Sequence, residues 1–247
     1  MNRIGKVIAA GGLAALPSWA CEALAFRIRH HRRRLKKWWA YREHQWMRNV
    51  GSLIHVGANF GGERFLYDEF GLNVLWVEPI ELVFEELQQN LAGFPNQNAV
   101  RALVTSCDGE DVCFNISSNG GLSSSIFAIG EHADIWPTVR MEESVSMTTT
   151  SLDSIAQRSD RPRWDALVMD VQGAELEVLR GGENTISGMQ YILAEAADFN
   201  AYEGGCVLQD LIDFLTPRGF RVNRKTVFAK HPRCGAYVNV LFERRPK

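Results

Sequence analysis

The chain has 247 residues, 46% of them hydrophobic and 23% charged, the ordinary composition of a globular protein with room for one substantial domain and an appendage. Its net charge of −2 hides an asymmetry: eleven Lys/Arg against two Glu put the first 48 residues at +9, and the rest therefore at −11. A body that acidic lacks the clustered cations that displace counterions from nucleic acid, and five scattered cysteines (Cys21, Cys107, Cys113, Cys206, Cys234) with no C-x-x-C pair exclude a zinc knuckle and a disulfide framework.

The head opens with "RIGKVIAAGGLAALPSWACEALAF", which has the cations and apolar run of a secretory signal. Gly11-Gly12 and Pro17 interrupt the run and no A-x-A site follows, so the expected location is cytoplasmic with reduced thiols. The run also falls short of the ~20 apolar residues that cross a bilayer. Seven cations between Arg27 and Lys37 then precede Trp38, Trp39, Tyr41 and Trp46. Read as a helix, residues 27–46 suit peripheral contact with the inner face of a membrane; the other readings are a solvated basic helix and a flexible tail. Residues 1–48 are accordingly taken as a basic segment and 49–247 as the main domain.

From Ser52 onward, apolar runs alternate with helical patterns. "SLIHVGA" is the first strand, "GERFLYDEFG" a helix stopping at Gly71, and "LNVLWVEP" the second strand. "IELVFEELQQNLAGF" is an amphipathic helix with Leu82, Val83, Leu87 and Leu91 on one face, and "NAVRALVTS" is the third strand. "CDGEDVCFNISSNGGLSSSI" breaks the rhythm as a hairpin and loop. "WDALVMDVQG" is a fourth strand, "AELEVLRGGENTI" a helix ending at Gly181-Gly182, "QYILAEA" a fifth strand and "LQDLIDFLTPRG" a helix. "GFRVNRK" and "AYVNVLFERR" close the chain as a strand pair. This order implies an α/β fold, a mostly parallel sheet with helices on both faces and an antiparallel terminal strand.

The turn after the first strand reads Gly57-Ala58-Asn59-Phe60-Gly61, with Asn59 where a dinucleotide fingerprint needs its middle glycine for pyrophosphate. Glu78 closes the second strand at the separation that places an acid on ribose hydroxyls. A ribose without pyrophosphate points to S-adenosylmethionine and disfavours a nicotinamide cofactor.

The strings "HVGANFG", "WVEPIELVFEELQQNL", "SLDSI", "MDVQGAELEVLRGGE" and "AEAADFNAYEG…LQDLIDFLTPRGF" resemble the FkbM family of S-adenosylmethionine-dependent methyltransferases, over roughly Ser52 to Val222. The resemblance implies a class I (Rossmann-like) methyltransferase fold and O-methylation of a hydroxyl on a glycan or secondary metabolite. By it, Gly57, Asn59 and Gly61 border the methionine part of the cofactor, Glu78 holds the ribose and Pro79 shapes the turn. The sequence departs from the family pattern at His55, where an acid is common, and at Thr105-Ser106, in place of a serine-aspartate pair; no adenine contact is assigned there. A non-catalytic cofactor-binding or membrane-associated scaffold is the alternative, and His55 is its main support.

Transfer from a sulfonium needs a positioned acceptor and a base. Ligands of an open parallel sheet lie beyond its strand ends, a rim that His55, Glu78, Asp170 and Glu195 are expected to reach. Asp170 and Glu195 are the expected catalytic carboxylates. Gln172, Glu175 and Ser124 are the expected acceptor contacts, although Glu175 also suits a helix N-terminus and Ser124 a polar turn. Asp170, Glu195 and Asp198 could also ligate magnesium, but no metal is assigned; His132 and His231 are left as loop histidines.

Overall fold

A computed structural model describes residues 43–161 and 163–246. Residues 27–42 of the segment expected to contact a membrane, like most of the basic head, lie outside them, while its Trp46 is described and buried. A 3-10 turn, Gln45–Asn49, leads into β1 (Ser52–Val56), α1 (Arg64–Glu69), β2 (Asn73–Val77) and α2 (Glu81–Leu91). β3 (Gln97–Val100), β4 (Leu103–Thr105), β5 (Asp111–Ser117), β6 (Ala128–Ile129), α3 (His132–Ile135) and β7 (Met141–Ser151) follow. Next come α4 (Leu152–Arg158), β8 (Ala166–Met169), α5 (Glu175–Arg180), α6 (Glu183–Ser187) and β9 (Tyr191–Ala197). β10 (Tyr202–Glu203), α7 (Leu208–Leu215), β11 (Phe220–Lys230) and β12 (Ala236–Arg244) complete the described chain.

Among these residues seven strands form the main sheet, in the order β11-β12-β9-β8-β1-β2-β3. β1 pairs in parallel with β2 and β8, while β12 runs antiparallel to both β9 and β11. This is the expected α/β class I methyltransferase architecture, with its antiparallel strand near the end. All five residues of β1 are buried, as a central parallel strand covered on both faces requires. Ile54 and Val56 pack with Leu152, Val178 and Leu211 on one face. On the other face Leu53 joins Trp76, Tyr67 and Leu87. Trp46 and Met47 belong to that second layer, Trp46 lying 5.4 Å from Tyr191. The packed body therefore includes the 3-10 turn and begins before the expected boundary at residue 49.

Three local expectations are corrected. "NAVRALVTS" divides into β3, in the main sheet, and β4, which pairs in parallel with β7 in a separate sheet of order β4-β7-β5. The expected hairpin around Asp111–Ser117 pairs instead with the distant β7, antiparallel, to form a cap. The helix over "AELEVLRGGENTI" breaks into α5 and α6. A Cβ at Gly181 would come within 2.1 Å of the Thr105 carbonyl oxygen, so the chain can pass β4 only as glycine. Ile80, Val83, Leu103, Phe114 and Ile116 cluster to weld the cap to α2. No helix among the described residues is long and apolar enough to cross a membrane.

Candidate functional site

The site lies at the carboxyl ends of β1, β2 and β8, where the strand order reverses and open sheets leave a crevice. Gly57 leaves β1 at φ 82°, and a Cβ there would meet the Asp170 carbonyl oxygen at 1.9 Å. Only glycine lets these two strand ends touch. Asn59, at φ 45°, takes a left-handed conformation that asparagine tolerates, its Oδ1 accepting the Phe60 N–H at 2.9 Å. Gly61, at φ 68°, completes the turn, and a Cβ on it would strike Leu87 at 2.7 Å. Its role is to let the turn settle on α2.

Glu78 is held by two backbone donors, Asn59 N–H to Oε2 and Ile80 N–H to Oε1, each at 2.9 Å. Burial raises its pKa to about 7 against the lowering effect of those two bonds, with a further push from the charge of Asp170. Glu78, Pro79, Gly57 and Asn59 line a cleft of about 600 Å³ together with Ser124, Asp170 and Gln172. Phe114 and Ile126 of the cap form its apolar wall. The features that fit a nucleoside cofactor are local: an acid presented on backbone amides, an apolar wall, and a turn that carries a side chain at Asn59.

Gln172 stands at the far end with φ 55°, a strained conformation for a side chain that is not glycine. Its Nε2 donates to Asp170 Oδ1 at 2.5 Å and to Glu195 Oε1 at 3.4 Å, while its Oε1 accepts from Tyr202 Oη at 2.7 Å. One amide thus bridges the two carboxylates expected to act. Burial raises Asp170 to about 6 and Glu195 well above the usual carboxylate range, Glu195 being pushed further by the charge of Asp170. Glu195 sits within β9, two residues before its end, rather than closing the strand as expected.

Glu175 lies outside this cleft. Its carboxylate accepts backbone N–H groups from Val171 and Gly173, both at 3.1 Å, and clamps the loop that carries Gln172. Ser124 does line the cleft, and its Oγ accepts the Ser117 N–H at 3.0 Å. Ser125 donates to the Gln172 carbonyl at 2.8 Å, tying cap to loop.

His55 corrects an expectation. It stacks on Trp76 at 4.8 Å and shares a 3.0 Å hydrogen bond with Tyr67 Oη, and burial lowers its pKa to about 3. It lines a second cleft of about 940 Å³, also bounded by Asp170 and Glu195, and not the 600 Å³ cleft of Glu78. Among the residues lining the 600 Å³ cleft, Glu78 and Asp170 are the acids. His132 was passed over in sequence yet is buried, bonded to Ser123 Oγ at 3.1 Å and Tyr237 Oη at 2.6 Å. His231 is buried too, 3.0 Å from Asp134.

The chain matches the family profile described as Methyltransferase FkbM domain over residues 55–222. It is similar to the 2-O-methyltransferase NoeI of Sinorhizobium fredii, at 26% identity over 66% of this chain and 70% of that protein. It is also similar to the hexuronic acid methyltransferase AglP of Haloferax volcanii, at 27% identity over 58% of this chain, spanning about half (54%) of that relative's length. Among solved structures it resembles M. capricolum TrmK in complex with S-adenosyl-homocysteine, with 6% identity, a TM-score of 0.47, and coverage of 83% of this chain and 68% of that one.

Glu175 gives a pH signature. Burial, then its own backbone's opposing hydrogen bond, then the charge of Asp170 set its pKa at about 7, above the unfolded 4.5. A folded pKa raised in this way adds stability that is complete below about pH 4.5 and is lost as pH rises through about 7, on the order of 3 kcal/mol. In ligand-free protein, Glu175→Gln should flatten the fall in thermal midpoint between mildly acidic and mildly alkaline buffer. Circular dichroism melts with identical slopes for wild type and variant would refute this.

Proposed function

The chain belongs to the FkbM methyltransferase family, and from that premise we propose that it transfers the methyl group of S-adenosylmethionine to a hydroxyl of a glycan or similar small molecule. The observation that carries this reading is the Asp170–Gln172–Glu195 bridge at the end of the Glu78 cleft. The names of NoeI and AglP support a sugar acceptor.

Bound in the cleft, the cofactor would supply an electrophilic methyl group on a sulfonium. Glu78 would hold its ribose hydroxyls: each carboxylate oxygen already accepts one backbone N–H and keeps a further acceptor site. Gly57 and Asn59 would border its methionine part, Gly61 would shape that turn and Pro79 would wall the ribose. Asp170 takes the proton of the attacking hydroxyl at Oδ1 or Oδ2. Its pKa of about 6 leaves it ionised at neutral pH yet basic enough to act. Gln172 orients Asp170, and Glu195 shares the amide and presents a second acceptor to the substrate. Ser124 faces the same space, while Glu175 serves by holding the loop.

Asp170→Asn should lower kcat by about 10²–10⁴-fold with the cofactor Kd nearly unchanged, the loss typical of a missing base. Wild-type kcat/KM should climb as pH rises through about 6. Unchanged turnover in the variant would remove Asp170 from the chemistry. Glu78→Ala should weaken cofactor binding by roughly tenfold or more, as loss of a charged hydrogen-bonding partner does. Calorimetry giving equal dissociation constants would refute the ribose role.

The basic-aromatic segment is proposed to hold the enzyme against an anionic membrane face. Its supporting feature is the run of seven cations from Arg27 to Lys37 before the indoles. Trp46 packs in the body, so the deletion must stop at Arg42. Removing residues 1–42 should abolish sedimentation with anionic vesicles and leave the melting transition intact; retained sedimentation would refute the anchor.

A further inference from the structure

Three cavities meet at the Asp170–Gln172–Glu195 bridge. The cleft of about 600 Å³ contains Glu78 and Asp170, and the cleft of about 940 Å³ across the sheet edge contains Asp170 and Glu195. A smaller cavity of about 240 Å³ behind Gln172 contains Glu175 and Glu195. Carboxyl groups thus line all three cavities that meet at the bridge. They also sense one another: after burial, the charge of Asp170 contributes to raising Glu78, Glu175 and Glu195.

Among the other titratable groups described at these walls, Arg224 of the 940 Å³ cleft is the cation. Burial lowers His55 to about 3 and His132, behind the serine loop, to about 4, so both imidazoles are neutral. Tyr202 and Tyr237 line the smallest cavity, and burial holds both phenols in the O–H form. No Lys or Arg among the described residues lines the 600 Å³ or the 240 Å³ cavity. Arg224 borders the 940 Å³ cleft, where its guanidinium bonds the Glu43 carbonyl.

We propose that the acceptor is a neutral sugar, one with no carboxylate or phosphate beside the reacting hydroxyl, and that Asp170, on a 600 Å³ cleft that no Lys or Arg among the described residues lines, imposes this choice. The proposal rests on the methyl-transfer reading of the site. A hydroxyl can donate to the Asp170 carboxylate, which is ionised at neutral pH. A uronate carboxylate brought to about 6 Å from Asp170 would instead meet like charge, which at an effective dielectric of 20 costs roughly a hundredfold in binding. The cofactor's two positive charges are met by its own carboxylate and by Asp170, which leaves no surplus cation to receive a second anion.

The test uses the purified full-length chain with S-adenosylmethionine labelled in its methyl group and a glycan pool holding neutral and uronic residues in similar amount. After acid hydrolysis, anion exchange separates the labelled sugars. The expected result is label in the unretained, neutral fraction by at least about tenfold, with the preference kept at raised salt because the charges are shielded from solvent. Label mainly on retained acidic sugars would overturn the proposal and leave methyl transfer standing. A preference abolished by salt would assign it to the acidic surface of the body and overturn the role of Asp170. No label in any sugar, from protein that binds the cofactor by calorimetry, would refute the methyl-transfer reading and the proposal with it.

Discussion

The constraint on which this site depends is the crowding of carboxylates at one sheet edge with so little cationic compensation. Removing an ionised acid from water is expensive unless other dipoles replace the solvent. Here the replacement is largely backbone: Asn59 and Ile80 amides for Glu78, Val171 and Gly173 amides for Glu175. Asp170 and Glu195 share a side-chain amide instead. The backbone-bound acids fix loops, while the amide-bound pair keeps oxygen atoms free for chemistry. The four acids thus divide by solvation into a backbone-bound pair and an amide-bound pair.

That arrangement needs strand ends brought unusually close, and the glycine at 57 permits it. Its contact with the Asp170 carbonyl sets the spacing between the turn after β1 and the loop after β8. The loop then curls through Gln172 and Gly173, both at positive φ, and Ser125 anchors it from the cap. The cap is anchored in turn by His132, which joins Ser123 to Tyr237 of β12. Tyr202 closes the circuit by donating to Gln172. Burial keeps this histidine neutral, so between a serine hydroxyl and a phenol it accepts at one nitrogen and donates at the other.

Much of the site was legible in sequence because its rules are short-range. A strand running into Gly57 and Asn59, and an acid closing the next strand, are patterns spanning a few residues, and the structure seats Gly57, Asn59, Glu78, Asp170 and Gln172 around one cleft. The cap was not legible. β7 is eleven residues long, but it is largely polar and exposed, and its partner β5 lies across a long loop. Its alternation "SVSMTTTS" was the available signal. His132 was invisible for a related reason: one partner is 9 residues away and the other 105, so no local pattern could announce its burial. Gly61 and Glu175 were found by pattern, yet one serves packing and the other loop retention.

His55 shows why a departure from a family pattern must be judged in three dimensions. In sequence it stands two residues before Gly57, which suggests a loss in the cofactor grip. In space its ring belongs to an aromatic layer with Trp76 and Tyr67, on the face of β1 opposite Ile54 and Val56. Strand periodicity explains this, since neighbouring side chains on β1 point to opposite faces and one residue's displacement changes which cavity is reached. A charged acid at this position would need a partner within an otherwise apolar layer; a neutral imidazole needs only the Tyr67 hydroxyl and a ring to stack on. The histidine is thus a solution to burial, while the cleft on the other side carries its own acid in Glu78.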